Sequence, residues 1–291
     1  MSAVAVVTDS THYLPRQLVA EHGIEEVSLY VTLDGDQRRE RDIADYADFY
    51  ATLRAGTSMP TTSQPSIGDF LAAYEPLAAA GRDIVSMHIS GGISGTVESA
   101  RQAAAQITES HPGRRVEVVD TRLVAGALAA AVLGTAVVAG AGADVDAVAA
   151  RAREASREMS LMFALDTLEF LRRGGRIGGA QAWVGGALKV KPILTLSDDT
   201  GTLEPIERVR TASRAFARLQ RELADRLAAG ADGWVVQHIQ APDDAARLVE
   251  HGRELFGTEP AFVSEIGPVV GSYAGPGLLG VGALPAGLLV A

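Results

Sequence analysis

Cysteine and asparagine are both missing from the 291 residues. Without cysteine there are no disulfides, no thiol nucleophile and no thiolate-bound zinc. Without asparagine there is no acceptor for N-glycosylation. Lysine is nearly missing too: Lys189 and Lys191 stand among 26 basic residues, a skew that genome composition explains and from which no function is read. Positive charge is in deficit, the formal net charge being −10. That excludes a nucleic acid as the expected partner, since neutralising phosphates needs a basic face. The N-terminal stretch MSAVAVVTDS has no basic region, and its apolar run is too short for a signal peptide. Residues 124–143 carry no charge but consist mostly of Ala, Gly and Val, with few leucines. Such a segment suits a buried helix packed closely on a sheet better than a membrane span. The expectation is a soluble, cytoplasmic protein without stable membrane insertion.

What is present is ordinary for a globular chain: 47% hydrophobic and 21% charged residues. The length favours two domains, placed at residues 1–150 and 151–291. Short apolar, β-branched runs at 4–8, 27–32, 84–89 and 116–120 read as strands. Between them lie helices near 15, over 45–53, from Ser66 to about Ala80, over 96–108 and over 122–140. Asp69 stands where a capping box places its acidic member. This alternation predicts a largely parallel sheet flanked by helices. A polar helix over 146–158 follows. The second half offers strands at 161–164, 193–196, 203–209, 234–238 and 261–265, with helices over 213–229 and 243–256. The fold expected is α/β, as two α/β domains, the second with a mixed sheet.

Four stretches carry candidate chemistry. The loop Ser90-Gly91-Gly92-Ile93-Ser94-Gly95 joins a strand to a helix, where backbone N–H groups converge on an anion. It lacks the Gly-Lys-Ser/Thr of a P-loop and the Gly-x-Ser-x-Gly of a nucleophile elbow, and a plain tight turn explains it equally well. The segment Pro60-Thr61-Thr62-Ser63-Gln64-Pro65-Ser66, within a turn-rich loop over 55–65, clusters hydroxyls before a helix. Capping accounts for Ser66 and Ser63 but does not require Thr62 and Gln64. Arg172, Arg173 and Arg176 surround the Gly174-Gly175 turn, which a solvated surface turn also explains. Gly271-Ser272-Tyr273-Ala274-Gly275-Pro276-Gly277 turns sharply or admits a ligand close to backbone. Asp9 and Ser10 follow the first strand and either cap the next helix or serve a site. The histidines show no metal-ligand spacing; His88 and His238 read as packed strand residues.

Taken in order, Thr8-Asp9-Ser10, Thr62-Ser63-Gln64-Pro65, Ile93-Ser94-Gly95-Thr96, the run from Leu165 to Ile177, Lys191-Pro192-Ile193-Leu194 and Gly275-Pro276-Gly277 resemble the DegV family. Its best understood members are the FakB subunits of bacterial fatty acid kinase. The resemblance spans essentially the whole chain. It implies an acyl chain in a tunnel between or beneath two domains, with the carboxylate held by Thr62 and Ser94, near Ser63 and Gly95. It also implies a separate ATP-dependent kinase subunit as partner, which forms an acyl-phosphate for phospholipid synthesis. No catalytic site, cofactor or metal is then expected in this chain, the fatty acid being its ligand. Where the family usually carries a histidine, this sequence has Tyr273. The arginines at 172, 173 and 176 are the expected partner-docking residues. The competing expectation is a small-molecule hydrolase or phosphotransferase using Ser94 with Asp9 and a histidine.

Overall fold

The computed structural model describes residues 3–56, 58–183 and 190–290. The first half runs β1 (Val4–Asp9), α1 (Arg16–Glu21), β2 (Glu25–Val27), β3 (Tyr30–Leu33), β4 (Asp36–Arg39), α2 (Ala47–Ala55), β5 (Thr61–Ser63), α3 (Ile67–Ala79), β6 (Asp83–His88), α4 (Thr96–Ser110), β7 (Val116–Asp120), α5 (Ala125–Gly140) and α6 (Val145–Glu158). The second continues with β8 (Ser160–Ala164), α7 (Glu169–Arg173), β9 (Lys191–Leu196), β10 (Leu203–Val209), α8 (Ala212–Ala228), β11 (Gly233–His238), α9 (Pro242–Phe256), β12 (Val263–Glu265), α10 (Pro268–Ala274) and β13 (Leu279–Leu284).

Three sheets result. The first has the order β2-β1-β6-β7 and is parallel throughout. Helices α3 and α4 cover one face, and α5 and α6 pack on the other side. Strand order reverses between β1 and β6, so a crevice opens beyond their carboxyl ends, where open α/β sheets bind ligands. The six-stranded sheet, β10-β9-β8-β13-β11-β12, is mixed. Helices α8 and α9 cover its outer face around Trp234, Leu219 and Leu248. The third sheet, β4-β3-β5, is antiparallel and small.

Helix α5 is the central element. It touches β1 and β6 of the parallel sheet, and β11 and β13 of the mixed one. Its residues are buried nearly all round. A helix pressed from both sides needs small side chains, which is why the uncharged Ala/Gly/Val stretch lies here. Among the described residues no helix is long and apolar enough to cross a membrane.

The sequence reading differs from the structure in places. The strand expected at 27–32 is two strands in different sheets. The chain leaves the parallel sheet after Val27, and the Leu29 N–H donates to Ser10 Oγ (3.1 Å) instead of to a strand. Within the expected loop at 55–65, Thr61–Ser63 pairs antiparallel with Tyr30–Thr32. Strands β4 and β13 and helices α7 and α10 were not anticipated. The boundary drawn at residue 150 falls inside α6.

Candidate binding site

A cavity of about 350 Å³ lies between the parallel and mixed sheets. Its walls are mostly aliphatic and small: the first residues of α5, Val235 of β11, Leu161 and Phe163 of β8, and Gly280 to Gly282 of β13. Leu29, Ile89, Val269 and Leu278 are also part of the apolar lining. Polar groups gather at one end, where Thr62, Ser63, Gln64, Ser94, Gly95, Arg176 and Tyr273 also contribute.

The mouth residues are delivered by several separate elements. Thr62 sits in β5, which the small sheet holds by pairing it with Val31. Its Oγ1 lies 2.6 Å from the hydroxyl of Tyr273, on the last turn of α10. Ser94 belongs to the loop after β6; its N–H donates to Ser90 O (3.1 Å) and its Oγ stands 2.9 Å from Thr96 Oγ1. A Cβ at Gly95 would displace the end of the Gln64 side chain, which donates to Ser99 Oγ at 3.0 Å. Thr62, Ser94 and Tyr273 are half-buried. The guanidinium of Arg176 lies over the Tyr273 ring, 5.2 Å from its centroid, within reach of a cation–π contact.

The structure therefore brings together Thr62, Ser63, Ser94, Gly95 and Tyr273, and adds Arg176 to them. Arg172 and Arg173 do not line the cavity. Both pair with Glu169, at 2.8 and 2.6 Å, and these bonds hold its carboxyl down at about 2. Of the three arginines read as one docking cluster, one faces the cavity mouth and two form a surface ion-pair group.

Helix α10 supplies Val269, Val270, Tyr273 and Ala274 to the cavity. Its start is fixed by Glu40, a fully buried carboxyl that sequence patterning did not flag. Glu40 accepts from Ser10 Oγ (2.6 Å), Tyr13 Oη (2.9 Å) and the Val269 N–H (2.7 Å). Tyr13 Oη in turn accepts from the Val270 N–H, and Tyr50 Oη donates to Ile266 O (2.6 Å). Burial pushes the Glu40 pKa up to about 8 despite these donors.

Asp9 and His88 do form a pair, but not with Ser94. His88 Nδ1 is 3.0 Å from Asp9 Oδ2, and Nε2 is 2.6 Å from Ser86 Oγ, which accepts from Tyr74 Oη. The connectivity is that of an Asp-His-Ser triad. All three residues are fully buried and none lines the cavity, so no substrate carbonyl reaches Ser86. Burial pushes the Asp9 carboxyl up, while bonds from His88, Thr11 and the Ile89 N–H bring it below its ordinary value. The network ties β1, β6 and α3 together. Among the described residues, no three His, Asp or Glu side chains converge as metal ligands.

The family model described as "uncharacterised protein, DegV family" matches residues 3–286. The chain belongs to the DegV family. A DegV domain-containing protein of Streptomyces coelicolor is 42% identical over 280 residues, covering 96% of this chain and 97% of that one. Among solved structures, a DegV family protein from Thermus thermophilus, described by its fatty acid binding, superposes with a TM-score of 0.86 at 35% identity. It covers 98% of this chain and 100% of its own. DegV of Bacillus subtilis, described as a fatty acid binding protein, gives 0.85 at 30% identity, with the same coverage. The parallel sheet flanked by helices and the mixed sheet are thus the DegV fold.

Proposed function

We propose that this DegV protein binds one long-chain fatty acid, with the tail in the cavity and the carboxylate at Thr62 and Ser94. The observation that carries this reading is the cavity itself, apolar along its walls and polar at one end. Ligand sites combine such walls with a few placed polar groups. Burying about 15 methylenes contributes roughly 12 kcal/mol gross at ~0.8 kcal/mol each. A hydrogen bond to the carboxylate adds only about 1.5–3 kcal/mol. The tail then dominates affinity, and the mouth decides which end faces out.

In this reading Tyr273 takes the place of the family histidine, and Arg176 stacked on it supplies the positive charge that a tyrosine lacks. The chain acts as a carrier without chemistry of its own, presenting the acid to a separate ATP-dependent fatty acid kinase subunit. The surface beside the mouth bearing Arg172, Arg173 and Arg176 docks that partner. The two α/β halves meet around α5, with the lipid between them.

Mass spectrometry of an organic extract of the purified protein tests the central claim. A fatty acid in near 1:1 ratio is expected. An extract free of lipid, followed by no uptake of added fatty acid after delipidation, overturns it.

A further inference from the structure

Away from the mouth the cavity lining carries one polar side chain, Gln237 of β11, which is 3% exposed. Its Nε2 donates to Ser264 Oγ at 2.7 Å and to His12 O at 3.4 Å. A main-chain carbonyl only accepts, so the nitrogen belongs on that side and the amide orientation is fixed. The opposite atom, Oε1, has no hydrogen-bond partner among the described residues. A buried amide oxygen without a donor is costly, and such atoms are rare in folded proteins.

That oxygen faces Gly126, lying 2.9 Å from where a Cβ on that residue would stand. Gly126 is the second residue of α5, and Val124, Ala125, Gly126 and Ala127 all line the cavity. The helix has no side-chain cap, and first-turn N–H groups have no intrahelical acceptor. One part of the apolar wall thus presents an acceptor beside a set of donors. A methylene satisfies neither. A carboxylate meets the donors but sets oxygen against oxygen at Gln237. A hydroxyl accepts from the helix and donates to Oε1 at once.

We propose that the preferred ligand is an acyl chain bearing a hydroxyl group part-way along its length, read by Gln237 and the start of α5. This rests on the fatty-acid reading above and specifies its substrate class. The test is displacement of a fluorescent fatty acid by stearic acid and by monohydroxystearic acids substituted at successive carbons. One isomer should bind about tenfold more tightly than its neighbours, because the others bury a hydroxyl without a partner. In Gln237→Met, of similar length and without the acceptor, that preference should vanish. Stearic acid, no longer set against an unpaired carbonyl, should bind more tightly. A melting curve checks that the variant folds; if it does not, the isomer series on the unaltered protein decides alone. Stearic acid bound but a flat isomer series overturns the proposal and leaves a water molecule as the group between Gln237 and α5. A preference that Gln237→Met leaves intact overturns the role of Gln237. If no acid of either kind binds, the fatty-acid reading itself falls.

Discussion

Thr62 and Tyr273 lie 211 positions apart in the chain, yet their hydroxyl oxygens are 2.6 Å from each other at the cavity mouth. One comes from the small antiparallel sheet and the other from α10, so the contact closes the mouth across two parts of the fold. Each hydroxyl carries one proton, which leaves the pair one donor for a ligand.

Removing either hydroxyl breaks this contact and leaves the other without its orienting partner, which should weaken headgroup fixation. Thr62→Ala, Ser94→Ala and Tyr273→Phe are each expected to lower fatty-acid affinity by about 10- to 150-fold, the range of one charge-assisted hydrogen bond of about 1.5–3 kcal/mol. Melting temperature without lipid should move little, because all three side chains are half-exposed. Fatty-acid titrations run beside thermal melts separate the two effects. Equal lipid-induced stabilisation in the wild type and all three variants removes these residues from the site.

Glu40 makes stability depend on pH. Its folded pKa of about 8 lies above the ordinary carboxylate value of 4.5. Between those values the folded state holds more protons than the unfolded one, so stability falls as pH rises. The contribution is greatest below pH 4.5 and is lost through pH 8, a change on the order of a few kcal/mol. Glu40→Gln, which does not titrate, should flatten that slope. Urea midpoints of both proteins at pH 5 and pH 8.5 provide the comparison. Parallel slopes mean Glu40 is ionised throughout.

The buried Asp9–His88–Ser86 chain should prove structural. His88→Ala leaves the Asp9 carboxylate buried without its partner, at a cost of about 3–5 kcal/mol. Lipid stoichiometry at a temperature where the variant is folded should stay the same. Hydrolysis of a simple aryl ester should be no faster than in buffer, with or without Ser86 and Ser94. Turnover that disappears in Ser94→Ala would revive the hydrolase reading.

Arg173→Glu places a second carboxylate four residues from Glu169 on α7, where an ion pair now stands. Charge at a docking rim acts on association rate and weakens with salt. With a cognate kinase subunit, ATP and labelled fatty acid, phosphorylation should slow at low ionic strength and converge with wild type at high salt. Lipid affinity should be unaffected, since Arg173 does not line the cavity. Identical rates at low salt exclude this surface.

The alternation of strands and helices was legible because each half follows the periodicities of 2 and 3.6. The capping box at Ser66 and Asp69 was legible to the residue. Strand β13 was not, and the cavity explains why. Gly280 and Gly282 alternate along it and both line the cavity, so two of the three positions on that face carry no side chain to show a strand pattern. Helix α10 was hidden in the same way by Pro268, Gly271 and Gly275; what holds it is Glu40, 229 positions upstream. Thr62 stood out only as a hydroxyl in excess of local need and Ser94 only as part of a Gly-rich strand-to-helix loop, and the family resemblance singled them out. Arg176 was grouped with its neighbours by spacing, whereas α7 ends at Arg173 and the turn after it redirects Arg176 towards Tyr273. Gln237 sits in an apolar strand, where only its surroundings reveal that its oxygen is unpaired.

Strand β13 lies in the middle of the mixed sheet, between β8 and β11, although it follows every other strand along the chain. During synthesis the N-terminal parts emerge first, at about 5–20 residues per second. The parallel sheet has all its strands by Asp120, while the mixed sheet stays split into two pieces until residues 279–284 are available. A nascent chain stopped short of that strand has one wall of the cavity missing and β8 and β11 each with an open edge. On the fatty-acid reading, a lipid is enclosed only once Leu279–Leu284 has paired with both β8 and β11.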